Sequence, residues 1–273
     1  MKSTIEKTGA QDNSSYLGKA AGRKRIQIIS KVLESNSRSF FKNVQFHENS
    51  IGLDLMCGIG TTTIQLAEFI GPYNKVSGFD SDVVNIGRAH ENAKSKSEQL
   101  NFHLLDEDNW LDEEAYDFIH FQTFFNSSYP FKALFQKIYS GLNEGGFLLL
   151  QHFDNTNFQC FPQNYAFERS LELHTELELS LGIRIDSVDQ LKTLLYQSQF
   201  QKVQIQQISP SFLKAEDKQL VSLSLEHIST MLMERKLASH SELHALMNEL
   251  KNFESQKNTM ISLPGMYQVI AFK

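Results

Sequence analysis

The residues best able to do chemistry cluster around one turn. In Leu53-Asp54-Leu55-Met56-Cys57-Gly58-Ile59-Gly60-Thr61, an apolar run ends on two glycines and passes into a helical pattern. Glycine lets the backbone bend and approach a ligand closely, and the first turn of the following helix offers N–H groups with no partner inside that helix. Acids stand at regular distances behind the turn. Asp80 closes the next apolar run in Gly78-Phe79-Asp80-Ser81-Asp82, where a carboxylate accepts hydrogen bonds from ribose hydroxyls. Asp106 closes the one after it, in Leu104-Leu105-Asp106-Glu107. There a carboxylate can accept from the N–H donors of a ligand. Asp54 lies inside the first run, just ahead of the turn.

The elements that must position these groups follow from hydrophobic periodicity. A helix over about 22–35 has Ile26, Ile28, Ile29, Val32 and Leu33 as its apolar face. Strands are expected at 51–56, 75–79, 101–105, 116–122, 147–153, 202–208 and 266–272. Helices are expected at 61–70, stopped by Gly71-Pro72, from Asp82 onward, at 131–142, at about 165–180 and at 187–200, the last opened by Ser187 as its cap. Asn143-Glu144-Gly145-Gly146 reads as a turn. This alternation predicts an α/β fold, a doubly wound Rossmann-like seven-stranded sheet with helices on both faces. About 50 residues separate the last two strands, too many for an ordinary loop. They read as two helices, roughly 214–235 and 241–254, forming a helical lid insertion or an interface element.

A dinucleotide site is the rival reading of the turn. Its fingerprint, G-x-G-x-x-G with an acid about 20 residues on, fails at Thr63, which stands where the third glycine belongs. Three acids on the carboxyl edge of three strands instead resemble the class I S-adenosylmethionine-dependent methyltransferases, and Asn143-Glu144-Gly145-Gly146 before Phe147-Leu148-Leu149-Leu150 resembles that family's turn before strand five. Met56 departs from the pattern, standing where the family usually has the first glycine of the turn. Tyr16-Leu17-Gly18 followed by GRKRIQ is similar to the leader of a bacterial small-molecule methyltransferase subfamily. The segment FDNTNFQCFPQNYAFERSLEL and the tail MISLPGMYQVIAFK are similar to its later parts.

The resemblance implies S-adenosyl-L-methionine as cofactor. It places the turn of Met56, Cys57, Gly58 and Gly60 against the methionine part, Asp80 with Ser81 at the ribose, and Asp106 with Glu107 at adenine. It folds the leader over the cofactor, with Tyr16 capping it and Arg23 meeting its carboxylate as a charge-assisted pair. Gln122, at the end of strand four, is expected to face the same site. His152 and Asp154 end strand five. A histidine at a site mouth is a natural general base near neutral pH, and Asp154 is the candidate for contact with the acceptor. The subfamily tends to have acids at Gln151 and His152, and this chain departs at both. His120, within strand four, reads as structural, and Cys57 as a small packed residue.

Composition bounds the rest. With 273 residues, 41% hydrophobic, 21% charged and a net charge of −6, the chain suits a globular enzyme and is a poor nucleic-acid binder. No run of about 18 apolar residues suggests a membrane span, and the polar first 15 residues lack the apolar core of a secretory signal. Two cysteines suggest neither a disulfide framework nor a metal cluster, so a cytoplasmic setting is expected. The expected organisation is a mobile leader over 1–14, a helical cap over 15–50, a cofactor-binding core over 51–208, the insertion over 209–262 and a last core strand over 263–273. The expected function is methyl transfer to O, N or C of a small-molecule acceptor, with a homodimer through the apolar stripes of the insertion as one assembly. The alternatives are a non-catalytic S-adenosylmethionine-binding protein and a nicotinamide-dependent oxidoreductase.

Overall fold

The computed structural model describes residues 20–94, 98–105, 115–123, 131–154, 158–182, 187–208, 212–214 and 216–273. Helix α1 (Ala20–Phe41) leads into a core in which strands and helices alternate: β1 (Ile51–Leu55), α2 (Thr61–Ile70), β2 (Lys75–Asp80), α3 (Val83–Asn92), β3 (Leu100–Leu104), β4 (Tyr116–Thr123), α4 (Phe131–Gly141) and β5 (Leu142–Asp154). The second half holds β6 (Cys160–Phe161), α5 (Tyr165–Leu181), α6 (Val188–Gln197), β7 (Gln201–Ile208), α7 (Leu220–Glu234), α8 (His240–Ser255), β8 (Met260–Ile261) and β9 (Gly265–Phe272). Capping sets several boundaries. Asp82 accepts from Val84 N–H and Asn85 N–H to start α3, Ser187 accepts from Gln190 N–H to start α6, and Gly182, in the left-handed region, ends α5.

Seven strands form one sheet in the order β3-β2-β1-β4-β5-β9-β7. The pairs from β3 to β5 are parallel, whereas β9 runs antiparallel to both β5 and β7. The reversal of β9 follows from the course of the chain. The chain leaves β7 at the carboxyl edge, builds its insertion there and re-enters from that same edge, so the returning strand must run the other way. Strand β5 also begins earlier than expected. The stretch expected as a turn, 143–146, is taken up in the strand through an irregular register with β4 and a left-handed Gly145.

Both faces of the sheet are covered. On one, Phe40 and Phe41 of α1, Leu66 of α2 and Ala89 of α3 pack on Val76, Phe102, Phe118 and Leu149. On the other, Leu134, Phe135 and Ile138 of α4 and Leu191 and Leu195 of α6 pack on Leu53, Leu55, Ile119 and Leu148. Burying Phe40 and Phe41 explains why α1 runs to Phe41, well past the expected end near Ser35.

A third apolar cluster sits at the carboxyl end of β5. It joins Ile28, Ile29 and Leu33 of α1, Leu173 and Leu177 of α5, Leu225, Ile228 and Leu232 of α7, and Leu246 and Leu250 of α8 to Phe153 and Met266. The insertion is therefore helical as expected, and its stripes bury against this chain's own helices. A two-stranded sheet, β6 with β8, fastens it to the segment after β5, and periodicity gave no sign of this pairing. Polar fastenings add register. Lys31 bridges Glu216 and Asp217, and Arg169 of α5 reaches Glu242 of α8. Among the described residues no helix is long and apolar enough to cross a membrane.

Inside the insertion, the Glu254 carboxylate accepts from Ser222 N–H (2.8 Å) and Ser222 Oγ–H (2.7 Å) in the first turn of α7. Burial outweighs these bonds and pushes its carboxyl up to about 7. The folded state thus holds this proton more tightly than the unfolded chain does. The associated stability is complete below the ordinary pKa of about 4.5 and is lost as pH rises through about 7. Glu254→Gln keeps an oxygen for Ser222 and removes the titration. Denaturant titrations between pH 5 and pH 8.5 should give a flatter stability profile for the variant. The expected gain over the parent above pH 7.5 is on the order of 2–3 kcal/mol, and parallel profiles would refute this account.

Candidate functional site

The turn between β1 and α2 has three alternating residues in the left-handed region: Met56 (φ 58°), Gly58 (φ 57°) and Gly60 (φ 78°). A Cβ on Gly60 would stand 2.8 Å from the Phe102 ring, so space as well as backbone demands glycine there. At Gly58 the backbone angle is the constraint, since the nearest atom to such a Cβ is Ile26 Cγ2 of α1 at 3.4 Å. Ile26 thereby places the N-terminal half of α1 against the turn. Met56 pays for its position in strain, because a left-handed residue with a Cβ crowds its own backbone. Its backbone nevertheless follows the course a glycine would take. Cys57 N–H donates to Phe79 O (2.9 Å) and Gly60 N–H to Cys57 O (3.0 Å). Burial pushes the Cys57 thiol well up, aided by Asp54 and Asp80, which suits packing rather than nucleophilic work.

The turn is clasped from below. Thr63 Oγ donates to Asp54 Oδ2 at 2.6 Å, joining the first turn of α2 back to β1. The departure from the dinucleotide fingerprint thus has a use, since a glycine at 63 would remove this donor. Asp54 Oδ1 lies 2.7 Å from His120 Nδ1, and His120 Nε2 lies 3.3 Å from Gln151 Oε1. Ser37 of α1 donates to the same Gln151 oxygen at 3.1 Å. His120 belongs to a chain of buried polar groups crossing β1, β4 and β5.

Asp80 meets the turn from β2. Its Oδ2 accepts Gly58 N–H (2.8 Å), and its Oδ1 accepts Asp82 N–H (2.9 Å) and Asn85 Nδ2–H (3.2 Å). Burial raises its pKa against the pull of those bonds. Each carboxylate oxygen can accept twice, so Oδ2 keeps room for another donor. Beside it, Asp82 Oδ2 and Asn85 Oδ1 are buried acceptors with no donor among the described residues. Buried polar atoms are ordinarily satisfied, so a ligand bearing hydroxyl donors fits this corner. Leu104, the register partner of Asp80, is exposed, as are Val83 and Val84. These apolar side chains suit a flat ring.

Of the residues singled out in the sequence, Met56, Cys57, Gly58, Gly60, Asp80 and Ser81 come together here. Gln122 ends β4 in register with Gln151, and its Nε2 is buried with no partner among the described residues. Arg23 is half-buried on α1. His152 is half-buried at the end of β5, edge-on to Phe131 of α4 with ring centroids 5.9 Å apart. It thus lies on the opposite sheet face from Gln151. The backbone of Asp154 pairs with Gly265, while Tyr16, Asp106 and Glu107 lie outside the described residues. Sequence reasoning missed Asn85, Asp82 Oδ2 and the exposed trio of Val83, Val84 and Leu104. It also missed the buried cap residues Arg25, His174 and His227. Burial lowers Arg25 to about 9, and burial with the Arg25 charge lowers His174 to about 3.

Comparison with known proteins gives these features a context. The family described as methyltransferase domain matches residues 46–199. Phosphoethanolamine N-methyltransferase 2 of Haemonchus contortus, solved in complex with S-adenosyl-L-methionine, is similar in fold. It is 15% identical with a TM-score of 0.60, over 97% of this chain and 60% of that one. This chain thus spans about 60% of the nematode enzyme's length. The YcgJ protein of Bacillus subtilis is 15% identical with a TM-score of 0.56, over 88% of this chain and 98% of that one. An S-adenosylmethionine-dependent methyltransferase from Mesorhizobium loti is 14% identical with a TM-score of 0.52, over 86% and 96%. No curated protein matches the sequence.

The strain at Met56 is open to measurement. A left-handed non-glycine residue costs about 1–2 kcal/mol, and glycine returns roughly 0.5–1 kcal/mol of that through its greater unfolded freedom. Met56→Gly should raise the thermal midpoint by about 1–3 °C in a chain of this size. A lower midpoint would show that Met56 packing outweighs its backbone strain.

Proposed function

The chain belongs to the methyltransferase-domain family, and from that premise we propose that it moves the methyl group of S-adenosylmethionine to O, N or C of a small acceptor. The observation that carries the reading is the clasped glycine turn beside Asp80, with two buried acceptors still lacking donors. Bound there, the cofactor supplies an activated sulfonium methyl group. Asp80, with Asp82 Oδ2 and Asn85 Oδ1 close by, receives the ribose hydroxyls, and Ser81 adds its backbone. Leu104 and Val83 would flank adenine, and Asp106 and Glu107 would be the groups to bond its edge, as the family resemblance implies. The turn from Met56 to Gly60 would hold the methionine part, with Gln122, Arg23 and Tyr16 as the residues to bind its polar end. Two features of the site disfavour a nicotinamide cofactor: Thr63 in place of the third glycine, and the closing of the turn by its hydroxyl.

The acceptor fits between the carboxyl edge of the sheet and the helices of 209–262, which act as a lid. Asp154 and His152 end the neighbouring strand, His152 as the group to take a proton where the acceptor must lose one. Most of the rate enhancement is then positioning and exclusion of water. Both cysteines are free, consistent with a reducing, cytoplasmic setting.

Calorimetry with S-adenosylmethionine, S-adenosylhomocysteine and NAD tests the premise. The first two should bind and NAD much more weakly, and preferential NAD binding would overturn the reading. Asp80→Ala should weaken S-adenosylhomocysteine binding by about 1.5–3 kcal/mol, the range for hydrogen bonds to a charged group. The same variant should melt several degrees lower without ligand, because Gly58 N–H and Asp82 N–H lose their acceptor. Unchanged affinity in a folded variant would exclude Asp80 from the ribose.

A further inference from the structure

We propose that His120 is a positioning residue that couples closure of the cofactor turn to the seating of α1 and, through α1, to the cap formed by α5, α7 and α8, so that cofactor binding organises the acceptor site. The proposal rests on the methyltransferase reading above. Its basis is a closed circuit of contacts. From the turn, Thr63 bonds Asp54, and Asp54 meets His120. His120 meets Gln151, and Ser37 of α1 donates to Gln151. Eleven residues earlier, about three helical turns, Ile26 of the same helix lies against Gly58. The helix thus touches the turn directly at one point and through the polar chain at another. Its intervening residues Ile28, Ile29 and Leu33 belong to the apolar cluster of α5, α7 and α8.

Burial makes this circuit stiff. His120 and Gln151 are fully buried, Asp54 is 2% exposed and Ser37 is 3% exposed. No solvent is at hand to replace a lost partner, and an unsatisfied buried carboxylate is far costlier than an unsatisfied surface one. Phe41 of α1 packs edge-on to the His120 ring, with centroids 5.7 Å apart, and fixes its orientation. An apolar residue at 120 would leave Asp54 Oδ1 without its donor. Asp54 would then turn, Thr63 would lose a fixed acceptor, and the N–H groups of the turn would lose their shared geometry. Conversely, a ligand that tightens the turn draws Ile26 and Asp54 together, and α1 with its cap helices follows.

Hydrogen exchange with and without S-adenosylhomocysteine, paired with calorimetry, tests this. In the parent protein the nucleoside should slow exchange at 55–66 and also at 28–41 and 220–232, which it does not touch. His120→Leu should weaken nucleoside binding about tenfold or more and abolish the remote protection. His120→Asn, whose amide N–H can stand where Nδ1–H stood, should restore affinity to within about threefold of the parent. A purely steric role would not give that rescue. Because His120→Leu could fail to fold, Ser37→Ala/Gln151→Leu provides a second cut that leaves Asp54, His120 and Thr63 bonded. It should bind the nucleoside within about threefold of the parent yet lose protection at 220–232. Full remote protection in this double variant, or parental affinity in folded His120→Leu, would overturn the proposal alone. A parent protein that binds no S-adenosylhomocysteine would overturn the functional reading and this proposal with it.

Discussion

A buried carboxylate, Asp54, is the constraint on which the site depends. Charge is removed from water at the centre of the sheet, and the structure compensates with two donors at short range, Thr63 Oγ and His120 Nδ1. Buried ionic groups of this kind contribute little net stability against a well-packed apolar alternative, while removing one partner is expensive. Their value lies in fixing one geometry. Here that geometry is the join between a strand and a helix across five residues, three of them in the left-handed region. A turn with so many permissive backbone angles would be loose if only its ends were held. The Asp54–Thr63 bond beneath it and the Asp80–Gly58 bond beside it hold it at two further points.

The same economy of placement appears in Asp80. Its buried carboxylate is used first to hold the protein together and only then offers capacity to a ligand. Such a group is rigid before any ligand arrives, and a preorganised acceptor loses little entropy on binding. The exposed Leu104 and Val83 alongside it are the converse. They are apolar surface left in water, which a planar ligand would cover.

The position of the cap is set by chain direction more than by local propensity. Strand β7 delivers the chain to the carboxyl edge, and β9 takes it back from there, so everything between them is built over that edge. Helix α1 is the element common to all parts. It covers one face of the sheet with Phe40 and Phe41, bonds β5 through Ser37, and lends Ile28, Ile29 and Leu33 to the cap. The sheet reaches the same cluster through Phe153 and Met266, and Gln151 Nε2 donates to Met266 Sδ, so helix and sheet meet at the cap together.

Sequence by itself determined the order and type of the main elements, the glycine turn and the acid that closes β2. Those features depend on residues a few positions apart: a period of two or 3.6, a cap, a glycine in the left-handed region. It also marked Thr63 as a departure and His120 as structural without supplying a partner for either. Tertiary structure decided what those residues do. Asp54 and His120 are 66 residues apart, and Gln151 and Ser37 are 114 apart, so their meeting depends on strand order and register. The two-residue strands β6 and β8 are too short to show any period, and the reversal of β9 follows from where the insertion lies. Asn85 looked like one more polar residue in a helix. Only folding buried it beside Asp80 and left its oxygen without a donor. A pattern in sequence can state what a residue prefers locally, but whether a polar atom finds a partner is fixed by the elements brought around it.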